Sequence, residues 1–309
     1  MKRIFLLLLL CIQAISFAQH ITVLETSEVT ALNGKESYYP KLNYNNSKLF
    51  FTTANFQGLY SLDLASGKIE TITENPGAGY EFTFAGNNHV IYRINKFDES
   101  GLKRTQFLID KNLEQNEEIT LADGKDLSTP QALNSGQLVY SVNGKISSSG
   151  NSSLSKNADA LSVPAVFVEN TKIVLWNNGT RKVLDPVEDG NYMWVSLSPD
   201  KTKILFTSAG KGTFISDLNG NILFELGYAN APKWSPDGNW ILYMVDKDNG
   251  RQVTYSDIFI TSFDGKTKYQ VTNTENIFEM YPEWSQDMST VVCHSDDGRI
   301  FMTKLKIEE

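Results

Sequence analysis

The chain has 309 residues and a formal net charge of −8, from 28 basic and 36 acidic side chains. This length suits one large domain or two ordinary ones, and a hydrophobic share of 41% excludes a disordered chain. The acidic balance argues against a nucleic-acid-binding protein, because such a protein carries a basic patch. The 13 Tyr, 17 Phe and 5 Trp favour β-structure.

The first 18 residues have the pattern of a secretory signal peptide. A positive end, Lys2-Arg3, precedes an apolar run over residues 4–14, and small residues stand at Ser16 and Ala18. The run is too short to cross a bilayer, and no later segment reaches the length of a membrane span. We therefore predict cleavage after Ala18, export to the periplasm or beyond, and a mature domain of residues 19–309 without a transmembrane segment.

A repeat begins soon after this signal. Residues 39–51 align with residues 194–206, 231–243 and 281–293, and weaker copies cover residues 80–92, 129–140 and 163–175. In each copy a short strand leads into a tight turn, and an apolar strand returns. Strand-like segments then follow, as at residues 59–64 and 68–73 after the first copy.

Four antiparallel strands in each 30–50 residues are typical of a propeller blade. The copies have seven equivalent apolar anchors: Phe51, Tyr92, Tyr140, Leu175, Phe206, Tyr243 and Cys293. We predict an all-β chain that forms a single β-propeller of four-stranded blades. Seven blades are favoured, and six are left open because only 31 residues separate Leu175 from Phe206.

The last copy contains three strands and lacks the fourth. Residues 20–32 have strand composition and belong to no complete copy. We therefore expect this N-terminal segment to supply the missing outer strand and so to close the ring, which removes an exposed sheet edge.

The turns Ser198-Pro199-Asp200 and Ser235-Pro236-Asp237-Gly238 resemble the WD40-like (PD40) repeat of TolB-type propellers. The resemblance covers the first and last three copies best and implies a propeller. The N-terminal α/β domain of TolB has no counterpart here. Propeller-type oligogalacturonate lyases share similar repeats, and that resemblance implies a cluster of histidines that binds a metal. This chain has three histidines, which are too few for such a cluster.

Motifs for nucleophilic or metal-dependent catalysis are absent from the sequence. It contains no HExxH, GxSxG or CxxC motif. Asp246-Lys-Asp248-Asn-Gly250 has the spacing of a calcium loop but lacks the distal Glu, so we interpret it as a hairpin loop. The sequence therefore predicts no catalytic residue, no metal ligand and no cofactor.

One repeat position, just before each inner strand, is rich in aromatic residues and would lie at the mouth of the central channel. Four of its members and four neighbouring side chains form the predicted ligand site: Tyr39, Tyr80, Trp194 and Tyr281, with Tyr192, Tyr228, Glu81 and Glu283. Tyr and Trp rings suit ligand contact and stack on sugar faces. The alternative is that these rings only pack between blades.

These features predict an exported, monomeric, non-catalytic binding protein of the cell envelope. Its partner would be an envelope protein or a glycan, held at the channel mouth, and not a nucleic acid. Two alternatives stay open. One is an enzyme with a channel-borne metal and carboxylates, similar to propeller lactonases, and the other is a scaffold that uses the propeller rim.

Overall fold

The computed structural model describes residues 20–29, 32, 34–132, 138–149 and 164–308. The predicted signal peptide, residues 1–18, lies outside this part of the chain, as does Val163. Among the described residues, no helix has the length and apolar character needed to cross a membrane.

The described residues form 26 strands, grouped into seven antiparallel sheets. The first sheet contains β2 (Tyr38–Leu42), β3 (Lys48–Thr53), β4 (Gln57–Asp63) and β5 (Ile69–Pro76). The second contains β6 (Thr83–Phe84), β7 (His89–Phe97), β8 (Arg104–Asn112) and β9 (Glu117–Gly124). The third contains β10 (Gln131–Ala132), β11 (Leu138–Val142) and β12 (Lys145–Ser149).

The remaining four sheets follow in the same manner. The fourth contains β13 (Ala165–Glu169), β14 (Lys172–Asn177) and β15 (Thr180–Leu184). The fifth contains β16 (Tyr192–Leu197), β17 (Lys203–Ser208), β18 (Gly212–Asp217) and β19 (Ile222–Gly227). The sixth contains β20 (Asn230–Trp234), β21 (Trp240–Asp248), β22 (Val253–Ser262) and β23 (Lys268–Gln270). The seventh contains β24 (Glu279–Trp284), β25 (Thr290–Ser295), β26 (Ile300–Glu308) and β1 (His20–Glu28).

These small sheets of sequential strands confirm the predicted all-β propeller fold. Apolar layers lie between neighbouring sheets, as between the third and fourth, where Val139 and Ile146 pack with Ala165 and Phe167. The first sheet also contacts the seventh, through β2 against β24 and β25.

The prediction of four strands in every unit is wrong for the fourth sheet. Residues 185–191 connect β15 to β16 without forming a strand. This loop is held by Asp185, which accepts hydrogen bonds from Lys172 Nζ at 2.8 Å, Gly190 N at 3.1 Å and Tyr192 Oη at 2.7 Å. A loop of seven residues leaves too little chain for an outer strand.

The N-terminal strand β1 pairs with β26 in the antiparallel sense. The register runs from His20 opposite Glu308 to Glu28 opposite Phe301, with one shift. Ile21 is 3% exposed and joins the apolar layer between the sixth and seventh sheets. The predicted partner of the N-terminal segment is therefore the observed one, although residues 30 and 31 of that segment lie outside the described chain.

The Ser-Pro-Asp-Gly turn is held by its own side chains. Ser235 Oγ donates to the Asp237 carboxylate and accepts from Trp240 N at 2.9 Å. Gly238 has a φ of +76°, which a residue with a side chain rarely adopts, and a Cβ there would lie 3.3 Å from Pro199. The turn therefore fixes both the end of the inner strand and its approach to the neighbouring sheet.

Candidate functional site

A bulge recurs near the start of the inner strands. One residue there has a positive φ in five sheets, and the flanking register shifts in four of them. The five residues are Tyr39, Glu81, Trp194, Ala231 and Tyr281. In the second sheet this position is held by Glu81, so Tyr80 lies one residue before the position that the repeat alignment gave it.

The residue two places after the positive-φ residue has the same pairing position in each of these sheets. Lys41 pairs with Phe50, Lys233 with Leu242 and Glu283 with Val292, and each partner immediately precedes the apolar anchor of its sheet. The bulge sets the direction of the side chains that follow it, because the extra residue interrupts the alternation of the strand. Equivalent positions in the first, sixth and seventh sheets therefore meet.

Lys41, Lys233 and Glu283 form an ion-pair cluster, which we call the central cluster. Glu283 Oε1 lies 2.7 Å from Lys233 Nζ and 3.7 Å from Lys41 Nζ. Lys41 Nζ also donates a 2.9 Å hydrogen bond to the carbonyl oxygen of Phe82. All three side chains are partly buried, so their charges interact through less water than at an open surface.

The two lysines have pKa values that move in opposite directions. Burial lowers the pKa of Lys41, and the attraction of Glu283 does not offset this effect. Burial also acts to lower the pKa of Lys233, but the carboxylates of Glu283 and Glu81 together raise it above the ordinary value. Burial acts to raise the pKa of Glu283, yet the two lysines hold it below its ordinary value. Lys233 therefore keeps its proton more firmly than Lys41 does.

A second charged group adjoins the central cluster. Glu81 accepts a hydrogen bond from Thr129 Oγ1, and its Oε2 lies 4.0 Å from Arg93 Nη2. The Arg93 guanidinium lies over the Tyr80 ring, 5.0 Å from the ring centre. Lys41 Nζ bonds to the carbonyl oxygen of Phe82, the residue after Glu81, so this group lies beside the central cluster.

A group of contacting aromatic rings also belongs to this site, and we call it the aromatic wall: Tyr39, Phe56, Tyr80, Tyr281 and His294. The Tyr39 ring centre lies 4.8 Å from that of Tyr281, 4.7 Å from Phe56 and 4.9 Å from His294. Phe56 in turn lies 4.9 Å from Tyr80. Burial raises the pKa of Tyr39, so its hydroxyl stays protonated and can donate a hydrogen bond.

His294 is enclosed by these rings. It stacks on Tyr281 at 5.5 Å, and its Nδ1 lies 3.0 Å from the carbonyl oxygen of Ser295. Within the described residues its Nε2 has no hydrogen-bond partner. Burial lowers the pKa of His294 to about 4, so the ring is neutral at pH 7.

The structure thus brings together five of the eight residues of the predicted site: Tyr39, Tyr80, Tyr281, Glu81 and Glu283. Trp194 packs against the apolar layer of the sixth and seventh sheets. Tyr192 is 3% exposed and bonds to the 185–191 loop, and the exposed Tyr228 contacts Asp246. These three residues do not join the five that the structure brings together.

Sequence reasoning missed Lys41, Lys233 and Arg93. The first two follow the proline in Tyr39-Pro-Lys41 and Ala231-Pro-Lys233, at the position that Glu283 has in its own copy. Comparing charges at that position would have found them. Arg93 lies one residue after the anchor Tyr92, and no motif marks it.

No metal-binding cluster is found in the described part of the chain, where no group of three or more His, Cys, Asp or Glu side chains could hold a metal ion. The histidines lie apart. His20 contacts Tyr269, and His89 lies 2.7 Å from Asp110. His294 contacts the rings of Tyr39 and Tyr281.

No family model and no curated protein sequence matches the chain, so the TolB and PD40 resemblance stays a prediction. Solved structures with a similar propeller include an oligogalacturonate lyase in complex with manganese. It has a TM-score of 0.47 and 13% identity, over 87% of this chain and 76% of that one. An oligogalacturonate lyase from Vibrio parahaemolyticus has a TM-score of 0.47 and 10% identity, over 86% and 76%. Both are named as lyases, whereas the sequence predicted a non-catalytic binding protein; that prediction is withdrawn.

Proposed function

We propose that the chain is an enzyme that carries out proton transfer on an anionic carbohydrate at the mouth of the propeller channel. The observation that carries the proposal is the pairing of Glu283 with Lys233 at 2.7 Å beside Lys41 at 3.7 Å. The nearer lysine neutralises the carboxylate. The farther one has a lowered pKa, which is the property required of a lysine base.

In the proposed step, Lys41 reacts in its unprotonated form, which its lowered pKa makes easier to reach, and Nζ takes a proton from the substrate to become an ammonium group. Glu283 then stabilises the new positive charge, because its carboxylate faces Lys41 as well as Lys233. The electron pair left on the substrate expels an oxygen leaving group as its bond to the substrate breaks, and Lys41 returns the proton to that oxygen. The sequence raised an enzyme with a channel-borne metal and carboxylates as an alternative, whereas the enzyme proposed here uses a protein side chain as the reacting base.

Lys233 of the central cluster and the residues around that cluster explain the proposed substrate class. Lys233 and Arg93 supply positive charge for a carboxylate or other anionic group. Tyr39, Tyr80 and Tyr281 supply flat rings with polar ends, which suit the face of a sugar.

The experiment incubates the mature protein with acidic and neutral oligosaccharides, oligogalacturonate included, and follows new products by mass spectrometry. Turnover of an acidic oligosaccharide is expected, with a loss of about 100-fold or more in Lys41→Gln. Lys266→Gln serves as the control, because Lys266 lies in an exposed turn and pairs only locally with Asp264. Equal turnover by Lys41→Gln and the unchanged protein would refute the proposal.

We further propose that these sheets are the blades of one propeller, and that β1 closes its ring. The pairing of β1 with β26 and the contacts of β2 with the seventh sheet support this arrangement. Export to the periplasm or beyond, removal of residues 1–18 and a monomeric state are proposals from the sequence. The mass of the secreted protein tests the cleavage, and light scattering tests the monomer.

A further inference from the structure

A cavity lies between the first and second sheets, beside the aromatic rings of Phe56 and Tyr80. Its volume is about 310 Å³, and its walls include Asn55, Tyr80, Arg93, Phe97, Arg104 and Gln106. Tyr80 and the neighbouring Phe56 belong to both the cavity and the aromatic wall of the mouth. The cavity therefore adjoins these aromatic rings.

Arg93 is the most informative residue of this cavity. It is only 7% exposed, and Nη1 donates a hydrogen bond to the carbonyl oxygen of Leu127. Its Nε and Nη2 have no hydrogen-bond partner among the described residues, and the Glu81 carboxylate is 4.0 Å away from Nη2. A buried guanidinium with unused donors is costly, so such a group is normally completed by an anion.

The Tyr80 ring covers this guanidinium, with its centre 5.0 Å from Arg93 Cζ. Tyr80 is 44% exposed, and it lies in the connection between β5 and β6. One aromatic ring therefore borders both the guanidinium and the cavity.

The charge and shape of the lining favour an anion on a flat ring. The charged residues that line the cavity, Arg93 and Arg104, are both positive, in a chain whose net charge is −8. The rings of Tyr80 and Phe97 are substantially exposed at the cavity, where they offer a face to a ligand.

We propose that this cavity is a binding site for an oxyanion, carboxylate or phosphate, carried on a ring whose face packs on aromatic side chains. Arg93 and Arg104 bind the oxyanion, and Tyr80 and Phe97 contact the ring. The site deepens the proposed function by giving the anionic substrate a second point of attachment. It rests on that function only in the substrate being anionic, because binding here needs no proton transfer.

The test measures binding of four probes by calorimetry: inorganic phosphate, phenyl phosphate, acetate and benzoate. Saturable binding of phenyl phosphate or benzoate at one site is expected, and the stronger of the two identifies the oxyanion. Each should bind more tightly than the matching ion without a ring. Equal binding with and without the ring would overturn the role of Tyr80 and Phe97.

Variants then locate the site. Arg104→Gln should weaken binding about tenfold, since Arg104 is exposed and its loss removes one charged contact without disturbing the fold. Arg251→Gln is the control, because Arg251 is an exposed arginine in a distant hairpin loop. Unchanged affinity in Arg104→Gln, or no saturable binding of any probe, would overturn the proposal. Lys41→Gln should keep this binding while it loses turnover, so the two proposals can fail separately.

Discussion

Lys233 and Glu283 come from neighbouring sheets and occupy equivalent positions in their inner strands, and Nζ and Oε1 lie 2.7 Å apart. This pair has a consequence for Lys41, which faces the same oxygen from 3.7 Å. One carboxylate faces two ammonium groups, so the cluster holds one more positive charge than it can pair. The more distant lysine is the one whose proton is easier to remove.

Replacing Glu283 by Gln should destabilise the fold by about 1–2 kcal/mol. The change leaves two lysines facing each other without a carboxylate, and the figure allows for their partial exposure. Glu25→Gln is the matched control, because it breaks the exposed pair between Glu25 on β1 and Lys304 on β26 and should leave the melting temperature nearly unchanged. Chemical unfolding of both variants decides the point, and equal stabilities would contradict it.

The closure by β1 can be tested with two substitutions on the same strand. Ile21→Ala should cost about 2–4 kcal/mol, because Ile21 is buried in the layer between the sixth and seventh sheets. Leu24→Ala should change stability by less than about 0.5 kcal/mol, since Leu24 is 57% exposed. If thermal melting separates the two variants by less than the error, β1 does not contribute its buried face to the ring.

Replacing Tyr281 and replacing Tyr80 by Ala should change the free energy of unfolding by different amounts. Tyr281 packs against the apolar layer and stacks on His294, so Tyr281→Ala should cost about 2–3 kcal/mol. Tyr80→Ala should cost less than about 1 kcal/mol, because much of its ring is exposed. Denaturant unfolding measures both, and a larger loss in Tyr80→Ala would show that the ring of Tyr80 is part of the core.

Acid should unfold the protein partly through His294. Its pKa is about 4 in the folded state against an ordinary value of 6.5, so the unfolded chain binds this proton first as the pH falls. The stability that this group contributes is present above pH 6.5 and is lost as the pH falls towards 4, by about 3 kcal/mol in all.

The measurement compares His294→Gln with the unchanged protein between pH 7 and pH 4. The unchanged protein should lose stability more steeply across this window. Glu279 does not account for the difference, because burial raises its pKa and its contribution has the opposite sign in both proteins. Parallel stability curves would contradict the burial of a neutral His294.

The sequence predicted the propeller because turn chemistry and apolar anchors recur locally. The turn at Ser235 shows why, since Ser235, Asp237 and Gly238 hold it without help from distant residues. The pairing of β1 with β26 was also predictable, because the last repeat lacks a strand. The fourth sheet was predicted less well, because its missing strand depends on how one loop folds around Asp185.

The candidate site was predictable only in part. The alignment found the aromatic residues of the mouth, but it counted rings and not charges. Lys41 and Lys233 meet Glu283 because a bulge in each inner strand redirects the side chains. No particular residue type marks such a bulge in the sequence. Arg93 reaches the site from the middle of β7, so its role depends on packing between sheets.

The most direct test of the account is the pKa of Lys41, measured by NMR titration of the intact protein with isotope-labelled lysine side chains. Lys41→Arg and Lys233→Arg assign the two signals. The account predicts that Lys41 titrates below the ordinary lysine value of 10.5 and that Lys233 titrates above it. A Lys41 pKa at or above 10.5 would contradict the account, because such a lysine would hold its proton and could not act as the base.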